Sequence, residues 1–325
     1  MENVKKRSKS PFVRGGAAIF KGKTAKMIVR HRMLYLFLLP AIVFVIVFQY
    51  IPMASLIMTL QDFKLQEGIF GSEFVGLKWF VATLFDPASD GYIAIKNTMY
   101  ISVMRILTNF PIILIYVLLL NEIKRRKVRG AIQTISYIPY FISWIAVGGM
   151  AFNLLSYDDG ILNKIIVRFG GRPIAWYNEP KYWWIILSIS SLWKGMGWST
   201  LIYMSGLGSI DDELYDACKI DGGGRFRQAI TVTLPGLMHI IMLQLILDVS
   251  GIMKDNADQI LAMINGSLLL HSTTGTVGTN EFNAITTGSN YAKIAALGFV
   301  RGIVGVLLVK IMDKIAKSAD SGGIL

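Results

Sequence analysis

Few residues in this chain could do chemistry, and the most informative of them sit where charge is expensive. Arg105, Lys194, Asp248 and Arg301 each interrupt a stretch that is otherwise apolar, and Lys254, Asp255, Asp258 and Gln259 cluster toward the outer end of one of these stretches. A charged side chain at such a position must be paired or must face a polar interior, which makes each a functional candidate. Lys194 lies in Trp193-Lys194-Gly195-Met196-Gly197-Trp198 and is expected to face a polar cavity or an acidic partner. Arg105 stands within two or three turns of a span's end, so snorkelling to the interface is its alternative reading.

These groups do not assemble into an enzyme's set. His31, His239 and His271 are scattered, and Cys218 is the single cysteine, which excludes both a cysteine zinc site and an internal disulfide framework. No complete Gly-x-x-x-x-Gly-Lys-Ser/Thr phosphate loop occurs. The nearest approach, Gly22-Lys23-Thr24, has Ala17 where the first glycine belongs. No cofactor is expected in this chain.

A second constellation, residues 209–235, is polar. It runs Ser209-Ile-Asp-Asp-Glu-Leu-Tyr-Asp-Ala-Cys-Lys-Ile-Asp-Gly-Gly-Gly-Arg-Phe-Arg-Gln-Ala-Ile-Thr-Val-Thr-Leu-Pro235. Ser209 with Asp212 can cap a helix start, and Asp211 to Glu213 place negative charge in its dipole-positive first turn. Leu214, Ala217 and Cys218 share one face. Gly222 to Gly224 break the helix. A second helical run, Arg225 to Thr233, is expected to end before Pro235, which biases Leu234 away from helical geometry. The product is an elbow whose small residues and acidic shoulder suit docking into a groove on another protein.

The elements that must position these groups are membrane spans. The chain is 53% hydrophobic, only 17% of its residues are charged, and windows of about 20 residues are nearly free of charge. The net charge of +12 concentrates beside apolar runs, as in membrane flanks, which argues against a nucleic-acid partner. Expected spans are about 33–60, 97–120, 131–155, 182–207, 236–260 and 289–312, within a transmembrane domain at 33–317. A basic tail at 1–32, with ten Lys or Arg and one Glu, precedes them, and a short tail at 318–325 follows. The apolar run after the basic tail is too long for a cleavable signal and lacks a small-residue cleavage site. The basic turn Lys124-Arg-Arg-Lys-Val-Arg129 and the absence of Lys and Arg from 261–287 place both termini in the cytoplasm. Residues 261–287, rich in Thr, Ser, Gly and Asn, read as an external loop.

The elbow resembles the coupling loop of ABC-importer permeases, whose pattern is Glu-Ala-Ala, three residues, Gly, and later an apolar residue with Pro. Here that pattern is Asp216-Ala217-Cys218, Asp221-Gly222 and Leu234-Pro235. Asp216 shortens the usual Glu, and Cys218 replaces the second Ala. Asp212 to Tyr215 and Gly224 to Phe226 are similar to the carbohydrate branch, nearest to permeases for oligosaccharides and polysaccharide fragments. The resemblance covers nearly the whole chain after residue 33 and weakens at 254–260. It implies an all-α polytopic membrane protein of six transmembrane helices with the type I ABC-importer permease fold, in the bacterial plasma membrane.

The resemblance implies coupling residues at Asp216, Ala217, Cys218, Asp221, Gly222, Leu234 and Pro235. The implied partners are a pair of ATP-binding subunits that hold ATP and Mg, a second homologous permease, an external solute-binding protein and a sugar. Lys194, Trp193, Asp258, Gln259 and Asn153 are the candidate pathway residues, because aromatic faces and hydrogen-bonding groups suit sugars. Their bland reading is glue between helices. A permease for amino acids, peptides or phosphate is the alternative, and an ion-coupled transporter is a weaker one because no internal repeat is found.

Overall fold

A computed structural model of the chain describes residues 30–254, 256–288 and 291–318. Most of the basic tail, Asp255, the start of the last expected span and the end of the chain fall outside the described residues. The chain divides into two compact units, the first ending at Ile57.

In the first unit, α1 (Arg32–Val45) runs through Pro40 and continues by a π turn, Ile46–Tyr50, into Ile51–Met53. With the 3-10 turn that follows, Arg32–Leu60 forms a 29-residue apolar run. Its residues up to Met53 are exposed throughout, as suits a helix that lipid surrounds. Pro52 does not end it. The wider π turn just upstream shifts the backbone pairing, so the proline ring meets no carbonyl one turn back.

The second unit opens with a two-stranded antiparallel ribbon, β1 (Gln61–Asp62) and β2 (Glu73–Phe74), followed by α2 (Lys78–Phe85). The long α3 (Asp90–Asn121) is capped by Ser89, whose hydroxyl accepts from the Tyr92 amide, and passes through Pro111. Next come α4 (Arg126–Phe141) and α5 (Trp144–Leu155), joined at a 96° bend. The expected third span is therefore broken. Pro139 and the Ser143 cap, which accepts from the Ala146 amide, explain where. After α6 (Ile161–Arg168), the central α7 (Trp183–Leu207) packs against α3 and α4. A Cβ at Gly197 would overlap the Ser136 carbonyl, so glycine is what lets α7 approach α4.

The elbow follows as α8 (Asp212–Ile220) and α9 (Arg225–Gln228), and then α10 (Met238–Ser250). The expected fifth span, 236–260, stops at Ser250. Residues beyond it form a separate helix, α11 (Ala257–Met263), packed on α5 where a Cβ at Gly148 would overlap the Ala262 carbonyl. Segment 261–287 is not a solvated loop either. It turns into α12 (Val277–Thr287), and Thr273, Thr274, Thr276 and Thr279 are buried. Two α3 side chains take up its backbone groups. Asn97 donates to the carbonyls of Ser272 and Gly275, and Thr98 accepts from the Val277 amide. Last is α13 (Tyr291–Ser318).

Among the described residues, three helical stretches are long and apolar enough to cross a membrane, or up to five if each of two bent pairs is one span. With the 25-residue α7 this is compatible with six spans. Two of the buried clusters among the described residues centre on α7. Trp183 and Leu187 of α7 meet Ile260 and Met263 of α11, while Tyr203 of α7 meets Ile113 and Val117 of α3 and Leu237 and Ile241 at the start of α10.

Candidate functional site: an exposed elbow and a polar cavity above it

The elbow is a rigid, exposed knuckle. Asp211, and not Ser209, caps α8: its carboxylate accepts from the Glu213 amide at 3.0 Å, while the Ser209 hydroxyl donates back to the Gly206 carbonyl. At the other end Gly222 takes φ +74°, its amide donates to the Lys219 carbonyl, and the Gly223 amide donates to the Cys218 carbonyl. That pair of bonds is the Schellman closure, which needs a residue tolerant of the left-handed region. A Cβ on Gly222 would meet nothing, but one on Gly223 would lie 2.5 Å from the Cys218 sulfur. Of the three glycines, one supplies the backbone angle and the next supplies room.

Two contacts fold α8 onto the following run, and a third closes the turn between them. Tyr215 and Thr233 share a hydroxyl hydrogen bond of 3.0 Å, Cys218 contacts the Thr231 hydroxyl at 3.6 Å, and the Gln228 amide donates to the Gly223 carbonyl. Arg225 reaches Glu122 at 3.5 Å and ties the elbow to the end of α3. The expected helix stop before Pro235 does not occur. Leu234 is helical, and a π turn over Ala229–Thr233 precedes the proline, as at Pro52, so the chain stays helical up to a 63° bend ahead of α10. Leu234 packs on the Tyr203–Leu237 core. Leu234 and Pro235 thus serve the joint to the membrane domain.

The outward face carries Asp216, Ala217 and Asp221, all exposed, beside Leu214, Ile220 and Phe226, which are 54%, 86% and 79% exposed. Cys218 is half-buried. Asp216 pairs with Lys219 at 2.6 Å, and this hydrogen bond holds the Lys219 ammonium above its ordinary range. Both partners are exposed, so the pair yields readily to a competing base.

Within the bundle a cavity of about 190 Å³ opens between α3, α7 and α10. Arg105 and Asn109 line it from α3, Ser191 and Ser199 from α7, and Gln244 and Asp248 from α10, with Phe110 and Tyr203 as aromatic walls. The Gln244 amide donates to Asp248 at 3.1 Å, and the Arg105 charge acts on the same carboxylate. Donors, acceptors and aromatic faces in one enclosed volume can hold a solute rich in hydroxyls. Arg105 and Asp248 were visible as intramembrane charges; their meeting was not, because no spacing rule relates residues 143 positions apart in sequence.

The pathway residues expected from sequence do not come together here. Lys194 faces neither that cavity nor an acid. Its ammonium donates to the Tyr140 carbonyl at 2.5 Å and the Pro139 carbonyl at 3.4 Å, and it lies over the Tyr140 and Trp144 rings. It caps the broken end of α4. Gln259 is buried, donating to the Leu187 carbonyl and the Ser190 hydroxyl, which joins α11 to α7. Trp193 lines a separate apolar groove with Met150 and Leu162, and Asn153 is exposed. Asp258 opens on another polar cavity of about 320 Å³, beside a 3.1 Å ion pair between Glu281 and Arg301.

Residues 110–320 match the family described as the binding-protein-dependent transport system inner membrane component. Among curated relatives, the polygalacturonan/rhamnogalacturonan transport system permease protein YteP of Bacillus subtilis (strain 168) is 31% identical over 95% of this chain and 96% of its own length. Protein LplB of the same organism is 30% identical over the full length of both chains. Among solved structures, a chain of a bacterial alginate ABC transporter, in complex with alginate pentasaccharide-bound periplasmic protein, superposes with a TM-score of 0.82. It is 27% identical, and the match covers 92% of this chain and 99% of the other.

Proposed function

Since the chain belongs to the family of binding-protein-dependent transport system inner membrane components, we propose that it carries an oligosaccharide or polysaccharide fragment through the membrane as one half of an ABC importer's pathway. It is a transport subunit, not an enzyme. An external solute-binding protein delivers the sugar, a second homologous permease completes the pathway, and paired ATP-binding subunits, which hold ATP and Mg, drive it. The elbow lies in the cytoplasm with both termini, in a bacterial plasma membrane, and its exposed Ala217 and Gly222 seat in a groove of the ATP-binding subunit. The names of the relatives, which refer to polygalacturonan, rhamnogalacturonan and alginate, support a saccharide cargo.

The observation that carries the reading is continuity. The elbow's second helical run leads through a single bend into α10, which brings Gln244 and Asp248 to the polar cavity. A push on α8 therefore displaces one wall of that cavity relative to α3 and α7. Reconstitution with the co-purifying subunits tests this. Gly222→Arg places a long side chain on the open face, and is expected to leave membrane insertion intact while lowering ATP-driven sugar uptake at least about tenfold, the loss of about 1.4 kcal/mol of coupling. Undiminished uptake would remove the elbow from the mechanism.

A further inference from the structure

The short helix α6 sits between the end of α5 at Leu155 and the start of α7 at Trp183, where two membrane-crossing elements reach the same side of the bundle. It is held rigidly by one side chain. Asn163, 2% exposed, donates to the carbonyls of Ser156, Tyr157 and Ile174 and accepts from the Ile174 amide and the Trp176 indole. At 3.6 residues per turn, Ile161, Ile165 and Phe169 form one stripe, and Lys164 and Arg168 form the edge beside it. The stripe is bare: the three side chains are 52%, 47% and 86% exposed. A helix clamped from behind, apolar on one open face and basic along its rim, has the form of an interfacial membrane helix. Tyr157 and Trp176 flank it, and such aromatics concentrate at the level of lipid headgroups.

We propose that α6 is a lipid-recognition element: Ile161, Ile165 and Phe169 insert among acyl chains, and Lys164 and Arg168 hold the phosphates of anionic phospholipids. The pattern favours this occupant, since an apolar stripe with a basic edge and flanking aromatics matches the successive acyl, headgroup and phosphate levels of an anionic leaflet. Two plainer roles exist for the cations. Lys164 pairs with Asp159 at 3.3 Å, and Arg168 complements the dipole at the helix's last turn. Lys164 and Asp159 are both exposed, so their pair competes weakly against a phosphate, and the dipole leaves the guanidinium's outer donors free for one.

Cys218 is the single native thiol, so the site can be probed alone. Phe169→Cys in a Cys218→Ala background, labelled with the environment-sensitive fluorophore NBD, is placed with its co-purifying subunits in nanodiscs of phosphatidylglycerol or phosphatidylcholine. Blue-shifted emission quenched by brominated phosphatidylglycerol is expected, with weaker quenching in phosphatidylcholine. Adding Lys164→Glu and Arg168→Glu should lower retention of phosphatidylglycerol, counted by native mass spectrometry, about thirtyfold. Lys164→Arg with Arg168→Lys should keep it. Water-like emission in both lipids, a blue shift that brominated lipid does not quench (a protein covering the stripe), or equal retention after charge reversal would each overturn the proposal. None of these outcomes bears on which solute the protein transports.

Discussion

Arg105 and Asp248 show how two costly residues become affordable together. An arginine or a carboxylate alone among apolar helices keeps an uncompensated charge; brought to one cavity, the Arg105 charge attracts Asp248 and adds to the hydrogen bond that Gln244 donates to the acid. Arg105→Ala is expected to destabilise the protein by about 1 kcal/mol, because it leaves Asp248 with the Gln244 amide and no cation, whereas Arg105→Ala with Asp248→Ala should recover much of that loss. Thermal unfolding of the purified subunit checks the sign: if the double variant is no more stable than the single one, the two groups do not act as a pair. Transport should nevertheless fail in the double variant, because the cavity then offers a hydroxyl-rich solute neither a cationic donor nor an anionic acceptor. Reading the sequence exposed the cost of each residue, which is local. It could not expose the repayment, which depends on how α3 and α10 cross α7.

Lys194 carries the same lesson at the scale of elements. Its position among tryptophans and glycines points to a pathway, yet its ammonium satisfies two carbonyls that the 96° break leaves open at the end of α4. Trp198, one turn on, stacks on Tyr140 at 4.6 Å and fixes the same end. Lys194→Met keeps the stem but removes the charged donor, and should cost about 1–3 kcal/mol. Lys194→Arg should restore most of it. If Lys194→Met instead leaves stability unchanged and alters only the sugar dependence of ATPase stimulation, the residue belongs to the pathway after all. The break itself was hidden because α4 and α5 read as one apolar window, and a window records hydropathy without direction. Segment 261–287 misled for the converse reason: its threonines look solvated, yet Thr273, Thr274, Thr276 and Thr279 are buried where Asn97 and Thr98, some 175 residues away, take up the backbone. The elbow was legible down to single glycines, since helix caps and turns are written within a few residues; only its N-cap and its passage through Pro235 differ. There a π turn did what the proline rule does not foresee.

At the scale of the whole molecule, α8 can pass force to the bundle only if it faces the side where ATP is hydrolysed. In the topology we propose, the run Arg32–Leu60, then α3, then the bent pair α4 and α5, then α7, each cross once before α8, which would put the elbow on the side of the N-terminus. The elbow itself is mildly acidic and gives no sign by counting basic residues; the proposed cytoplasmic side rests on the basic turn at Lys124 to Arg129 and on the number of crossings. The single cysteine makes this testable without altering the chain, because Cys218 lies half-exposed on the elbow. A membrane-impermeant maleimide added to intact cells should leave Cys218 unmodified and should modify it once the membrane is permeabilised. Saturating ATP-binding subunit should then slow the reaction, since docking on α8 covers the thiol's surroundings. Modification in intact cells would put the elbow outside, leave it nothing that hydrolyses ATP to grip, and detach the movement of α10 from any source of force. A thiol reached only after permeabilisation, but equally fast with and without that subunit, would keep the topology and move the docking face elsewhere on the same side, to the exposed Phe226 and Ile220.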